Sequence, residues 1–221
     1  MDSLGLEITL LSDTTFGRGD GVAGVVDQEV EHDAATGLPI IKGRTLKGLL
    51  VEECSNILYA LLVSSSPAYA AMNTAAERLF GVPGSNLHGQ SILHIGTATL
   101  PRSLADHLRL EIAYGRLTPQ AVLEALTTIR RQTAVDSERD VPKDNTLRAM
   151  RVILRDTVFE APVLLRETPT DDELSLLAAC AASLRRAGHS RNRGRGRIAV
   201  RVNGLPDGAL DWFGQRVKGG E

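Results

Sequence analysis

Seven arginines (Arg185, Arg186, Arg191, Arg193, Arg195, Arg197 and Arg201) lie between positions 185 and 201, a stretch with no acidic residue. Gly188, Gly194 and Gly196 are interleaved with them. Glycines let backbone N–H groups turn toward an anion, and guanidinium groups add charge and paired hydrogen bonds, so a phosphate backbone is the natural ligand. The alternative is a solvated basic hairpin. A second group of cations, Lys42, Arg44 and Lys47, stands where the first strong helical pattern begins. A helix N-terminus with cations beside it attracts anions, although three cations on one turn can also be merely solvated.

The acids that could do chemistry are in the loop after the first apolar run. Asp27 and Asp20 sit in or beside the glycine-rich segment from Gly17 to Gly24, and Asp33 falls in a turn. A loop carboxylate usually caps backbone N–H groups. It can also hold a divalent cation through water or assist a deprotonation. His88, His94 and His107 lack ligand spacing, and His32 is a possible helper. Cys54 and Cys180 lie inside apolar helical patterns without metal-ligand spacing, as expected of buried thiols in a reducing cytoplasm. The sequence contains no P-loop, nucleophile elbow or Rossmann fingerprint.

The whole chain bounds these readings. It has 221 residues, 43% of them apolar, and a formal net charge of −2, so any anion site must come from local clustering rather than gross charge. Aromatics are only 4%, which favours capture of a nucleic-acid backbone over base stacking. Met1–Asp2–Ser3 leads directly into a short apolar run with no secretory leader, and no apolar stretch is long enough to span a bilayer.

Hydrophobic periodicity predicts the elements that position these groups. Leu4 to Leu11 reads as a strand, Val25 to Val30 as a short extended piece, and Leu38 to Gly43 as extended. Thr45 to about Ser64 reads as a helix, with Leu46, Leu49, Leu50, Cys54, Ile57, Leu58 and Leu61 at helical spacing. A short helix is predicted over Thr74 to Phe80, and strands over Ser91 to Thr99 and Leu108 to Ala113. Thr118 caps a helix reaching Ile129, with Pro119 in its first turn. Arg130 to Arg148 reads as a polar excursion. Met150 to Leu165 alternates as a strand or two strands broken near Pro162. Thr170 and Glu173 form a capping box opening a helix to about Ala187, with Gly188 as its C-terminal cap. Ile198, Val200 and Val202 mark a last strand, and Trp212 and Phe213 could anchor the tail.

Strand, helix, strands, helix, strand predicts an α+β class: a ferredoxin-like (RRM-like) antiparallel sheet with helices on one face. The chain is expected to form one domain over residues 1–221.

The stretch from Asp27 to Gly48 resembles a signature of the RAMP superfamily, as carried by backbone subunits of type III CRISPR effectors. Thr36-Gly-Leu-Pro and Leu46-Lys-Gly match its pattern. Arg78-Leu-Phe-Gly81 looks like the family's Leu-Phe-Gly segment. Thr133-Ala-Val-Asp-Ser-Glu-Arg139 resembles the start of its thumb-like hairpin, and Gly188 to Gly196 its C-terminal glycine-rich loop. Departures are Lys42 and Arg44-Thr45, where Pro and Ser-Ser are commoner, and Asp140-Val-Pro-Lys-Asp-Asn145 after the thumb-like Asp136.

The resemblance implies a palm with a thumb-like β-hairpin insertion at about 130–150. It implies that copies stack with other effector subunits along a guide RNA in the cytoplasm. It also implies guide contact through Lys42, Arg44, Lys47, Arg191, Arg193, Arg195 and Arg197, together with Gly188, Gly194 and Gly196. Asp27 matches the position of an aspartate that promotes cleavage of target RNA with Mg2+ or Mn2+. Two alternatives stand beside this reading. One is a structural RNA-binding subunit with an inert Asp27. The other is a guide-processing endoribonuclease of the same superfamily.

Overall fold

A computed structural model describes residues 4–21, 26–82, 84, 89–132, 135–136, 141–142, 148–191 and 193–219. The chain opens with strand β1 (Gly5–Leu10), followed after a long loop by helix α1 (Gly43–Val63) and helix α2 (Tyr69–Phe80). A short strand β2 (Leu93–Ile95) leads into helices α3 (Arg102–Ala113) and α4 (Pro119–Leu126). Then come strands β3 (Thr127–Gln132), β4 (Val135–Asp136), β5 (Val141–Pro142), β6 (Arg148–Ile153) and β7 (Val158–Leu165). Helix α5 (Asp171–Ser183), strand β8 (Ile198–Asn203) and helix α6 (Ala209–Val217) complete the described chain.

The main sheet has the order β2-β7-β1-β8, with every neighbour antiparallel. Alternation along each strand divides its two faces. Leu6, Ile8 and Leu10 of β1, Phe159, Ala161 and Val163 of β7, and Ile198 and Val200 of β8 are buried in the core. The other face carries Glu7, whose register partners are Glu160 on β7 and Arg201 on β8. β3 and β6 pair apart from this sheet, from Thr127↔Ile153 to Gln132↔Arg148, and β4 pairs with β5 beyond them. The structure is thus a mixed α/β protein with antiparallel sheets.

Helix α1 buries Leu46, Leu50, Cys54 and Leu61 along one stripe. α5 is buried almost all round, because α1, α2, α6 and β8 each contact it. The stripe expected from the sequence (Leu174, Leu177, Ala178, Ala181, Leu184) is therefore narrower than the real one, which also takes in Ser175, Leu176, Ala179 and Cys180. The capping box forms: Thr170 Oγ1 accepts from Glu173 N, and Glu173 Oε2 accepts from Thr170 N at 2.8 Å. Glu173 is only 1% exposed, and its other oxygen accepts from Arg78 Nη1 at 2.7 Å. Arg78, in the Arg-Leu-Phe-Gly segment, thereby locks α2 to the start of α5.

Several elements differ from their sequence-based expectations. Leu108 to Ala113 is not a strand but the end of α3. The run Leu108, Leu110, Ile112 alternates, yet Ala105, Leu108 and Ile112 face the core at helical spacing while Leu110 is 54% exposed. α4 keeps its Thr118 cap but ends at Leu126, where the β-branched run Thr127-Thr128-Ile129 passes into β3. The break between β6 and β7 falls at residues 154–157, where Asp156 adopts φ 66°, and not at Pro162. Pro162 is tolerated inside β7 because it faces the side where β2 has already ended; there its carbonyl accepts from Gly96 N. α5 stops at Ser183, so Gly188 does not cap it. Residues 184–187 continue extended, and Ala187 N donates to the Gly196 carbonyl. His88, residues 22–25 and most of 133–147 lie outside the described residues, and with them the motifs read at 133–139 and 140–145.

Candidate nucleic-acid interface

The basic glycine-rich loop is held against the segment following β1. Gly188 adopts φ +82°, and a Cβ there would stand 2.6 Å from the Thr15 carbonyl oxygen. Gly196 adopts φ +71°, and a Cβ there would stand 2.1 Å from the Ala187 oxygen. Only glycine fits either place. His189 N donates to the Thr15 carbonyl at 2.8 Å, which ties the loop to residues Thr14–Thr15 at the end of the sheet.

The start of α1 faces this loop. Lys42 is the N-cap residue, and the first turn carries no acid. Thr45, Leu49 and Glu52 follow at spacings of four and three, so they share one helix face. Between that face and the loop lies a cavity of about 390 Å3, lined by Phe16, Glu31, Lys42, Glu52, His189 and Arg191 among others. Two ion pairs cross it. Lys42 Nζ lies 2.9 Å from Glu31 Oε2. Arg191 makes a fork with Glu52, Nη1 to Oε2 at 3.0 Å and Nη2 to Oε1 at 2.6 Å. That pairing raises the Arg191 pKa and keeps the group charged.

The remaining cations divide into free and engaged groups. Arg44, Arg193 and Arg197 are exposed, and among the described residues none of their side chains has an acidic partner. Arg195 Nη1 instead lies against Met150 Sδ at 2.8 Å, at the foot of β6. Lys47 turns inward. Its ammonium donates to Ser91 Oγ at 2.6 Å and to the Leu93 carbonyl at 3.2 Å, and burial lowers its pKa. Gly194 faces open space at the loop tip.

Asp27 lies beside strand β6, at the outer part of the β3–β6 pair, where Ala149 is in register with Arg131. Its backbone N donates to the Ala149 carbonyl at 2.8 Å, and its Oδ2 accepts from Ala149 N at 2.7 Å. Its exposed carboxylate therefore has one oxygen fixed and the other without a protein donor among the described residues. Among the described residues no three metal-ligating side chains come together. Asp20 is held by Arg18 at 2.9 Å, which lowers its pKa. Asp33 is a turn residue whose two oxygens accept from Ala35 N and Thr36 Oγ1. His32 Nδ1 is 3.0 Å from the Val30 carbonyl, outside any ligand cluster.

The neighbours of Asp27 connect it to the loop. Gln28 Nε2 is 2.9 Å from His189 Nε2, while Gln28 Oε1 is buried without a partner. Turning the amide over would let Oε1 accept from a protonated Nε2 and satisfy that oxygen. Glu29, 3% exposed, is ion-paired with Arg151 at 2.8 Å, although the Arg151 Nε–H is not aimed at the carboxylate. Glu29 also accepts from Val30 N, and Arg151 Nη1 donates to Thr127 Oγ1.

The structure thus gathers Lys42, Arg191 and Gly188 at one cavity and leaves Arg44, Arg193 and Arg197 exposed. Asp27 stands beside β6 at Ala149, and the Lys47 ammonium is directed inside. Sequence reasoning missed Glu31, Glu52, Gln28 and His189. The helical spacing from Thr45 to Glu52 was a usable signal for one of them; a long-range turn contact such as Gln28–His189 leaves none.

The family model of the RAMP superfamily matches residues 7–199. No curated protein matches the chain. Among solved structures, a chain of the type III-B Cmr-beta complex bound to cognate target RNA aligns with a TM-score of 0.63. It has 13% identity over 91% of this chain and 97% of that one. The apo state of the same complex gives 0.63 and 12% over the same shares. At these identities the likeness is one of fold.

Proposed function

The chain belongs to the RAMP superfamily, and from that premise we propose that it is a guide-RNA-binding backbone subunit of a type III CRISPR ribonucleoprotein. In this reading residues 1–221 form one palm domain with a ferredoxin-like sheet, and the β3–β6 excursion is its thumb. Copies of the chain stack with other effector subunits along a guide RNA in the cytoplasm, and target RNA pairs with that guide. The observation that carries the reading is the convergence of the basic loop and the start of α1. Glu52 and Arg191, 139 residues apart in the chain, meet across one cavity, and the exposed Arg44 and Arg193 stand two residues along the chain from its lining residues Lys42 and Arg191. A groove of that kind suits a ribose-phosphate chain. The test is co-purification: RNA of guide length should travel with the chain and its partner subunits. Assembly of the complex without RNA overturns the reading.

Cleavage of target RNA is part of the proposal. RNA carries its own nucleophile, the 2′-hydroxyl, which attacks the adjacent phosphorus and expels the 5′-oxygen. The protein must mainly hold that hydroxyl in line with the leaving oxygen. Asp27, fixed through Ala149 N, would present its other oxygen beside β6, where it could accept the hydroxyl proton. In the alternative role that oxygen would hold Mg2+ or Mn2+ through water, and the ion would neutralise charge on the phosphate. A second reading, an inert structural subunit, is favoured by the fact that Asp27 already caps a backbone N–H. Asp27→Ala in the assembled complex separates the two. Lost cutting with target binding intact supports cleavage at Asp27, and unchanged cutting removes it.

A further inference from the structure

The cavity between α1 and the glycine-rich loop is not a bare cationic socket. Its lining contains two cations, Lys42 and Arg191, and two carboxylates, Glu31 and Glu52. Each cation is bonded to one carboxylate. The four charged side chains sum to zero, which leaves His189, backbone N–H groups and the α1 N-terminus as the remaining attraction for a phosphate. The Nη1–Nη2 edge of Arg191, one of the two edges that can grip a phosphate with paired bonds, is occupied by Glu52. A phosphate using these cations inside the cavity must therefore displace the carboxylates or sit against them.

We propose that Glu31 and Glu52 are specificity-determining residues, built-in competitors that keep the site closed to single anions and open it to a polyanion. This rests on the RNA-binding reading above and deepens it. The two acids differ in how readily they leave. The Glu52 side chain is 47% exposed on the outer side of α1 and can swing into solvent, while that of Glu31 is 15% exposed and more firmly seated. Exposed ion pairs are weak, so exchange at Glu52 is easy for a ligand already held nearby. Arg44 and Arg193, two residues along the chain from Lys42 and Arg191, supply that hold, since they are exposed and free of acidic partners among the described residues. A polynucleotide anchored on them delivers its next phosphate at high effective concentration, whereas a mononucleotide has no such anchor. The acids thus exchange some affinity for a preference for length.

The experiment uses the full chain, a fluorescent single-stranded RNA of guide length, and adenosine monophosphate as the single-phosphate probe. Glu52→Gln should tighten RNA binding about two- to fivefold, the range expected when one exposed ion pair no longer competes. It should steepen the slope of log affinity against log salt by about 0.7, one further phosphate contact. It should also tighten the monophosphate by a larger factor than the RNA, which narrows the preference for RNA. Adding Arg191→Ala to Glu52→Gln should abolish the gain. Thermal unfolding midpoints check that each variant is folded; if Glu52→Gln is not, Glu52→Ser carries the same test. RNA binding by the parent that Glu52→Gln leaves unchanged or weakens overturns the inference while the RNA-binding reading stands. Absence of RNA binding by parent and variants at low salt overturns both.

Discussion

Gln28 and His189 meet at 2.9 Å, and this contact ties the segment carrying Asp27 to the glycine-rich loop. Gln28 also forms a bridge with Met150 of β6. One short segment therefore touches both strand β6 and the loop proposed to grip RNA. Gln28→Ala should loosen the loop more than the fold. The expected loss of stability is about 0.5–1.5 kcal/mol, that of one hydrogen bond. Hydrogen exchange should speed up at residues 188–191 and 193–196 while the core of α5 stays protected. Unchanged exchange in the loop would show that the contact does not hold it.

Gly196→Ala tests the loop's backbone. The substitution forces a side chain into φ +71° and against the Ala187 oxygen. The left-handed conformation alone costs about 1–2 kcal/mol, and the clash adds to it. RNA affinity should fall while circular dichroism keeps its helical content. Gly194→Ala, which meets no atom within 4 Å, should cost only the conformational part.

The Glu29–Arg151 pair is buried, and breaking one side strands the other charge. Glu29→Ala should destabilise by about 3–5 kcal/mol in urea unfolding. A double change to apolar residues of similar volume, Glu29→Leu with Arg151→Met, should cost much less. An equal loss in both variants would mean that packing, not charge burial, governs the position.

Arg193 and Lys47 make opposite predictions. Arg193 is exposed and unpaired among the described residues, so Arg193→Ala should flatten the salt dependence of RNA binding by about 0.7. The Lys47 ammonium is engaged by Ser91 and Leu93, so Lys47→Met should leave that slope alone. It should instead lower stability by about 1 kcal/mol. A flattened slope in Lys47→Met would return Lys47 to the interface.

Much of the scaffold is written locally in the sequence. Thr170 and Glu173 announce the start of α5, and Thr118 with Pro119 that of α4, because caps depend on neighbours within one turn. The alternation of β1, β7 and β8 is equally direct. α3 was misread because Leu108, Leu110 and Ile112 satisfy a period of two by accident, and only packing shows that Leu110 faces outward. The cations of the site were legible by type and clustering. Their acidic partners were not: Glu52 meets Arg191 only because the loop folds over α1, and nothing near either residue signals that.

The sheet has a front and a back. On its uncovered side Glu7 and Glu160 stand abreast in register, with a single Arg201 on the far flank. The aromatic ring of β7, Phe159, points the other way into the core. A flat platform that could otherwise stack bases thus presents paired carboxylates and no Phe, Tyr or Trp ring among the described strand residues. In the proposed function that acidic face repels a nucleic-acid strand, which leaves the loop side as the one that would receive it.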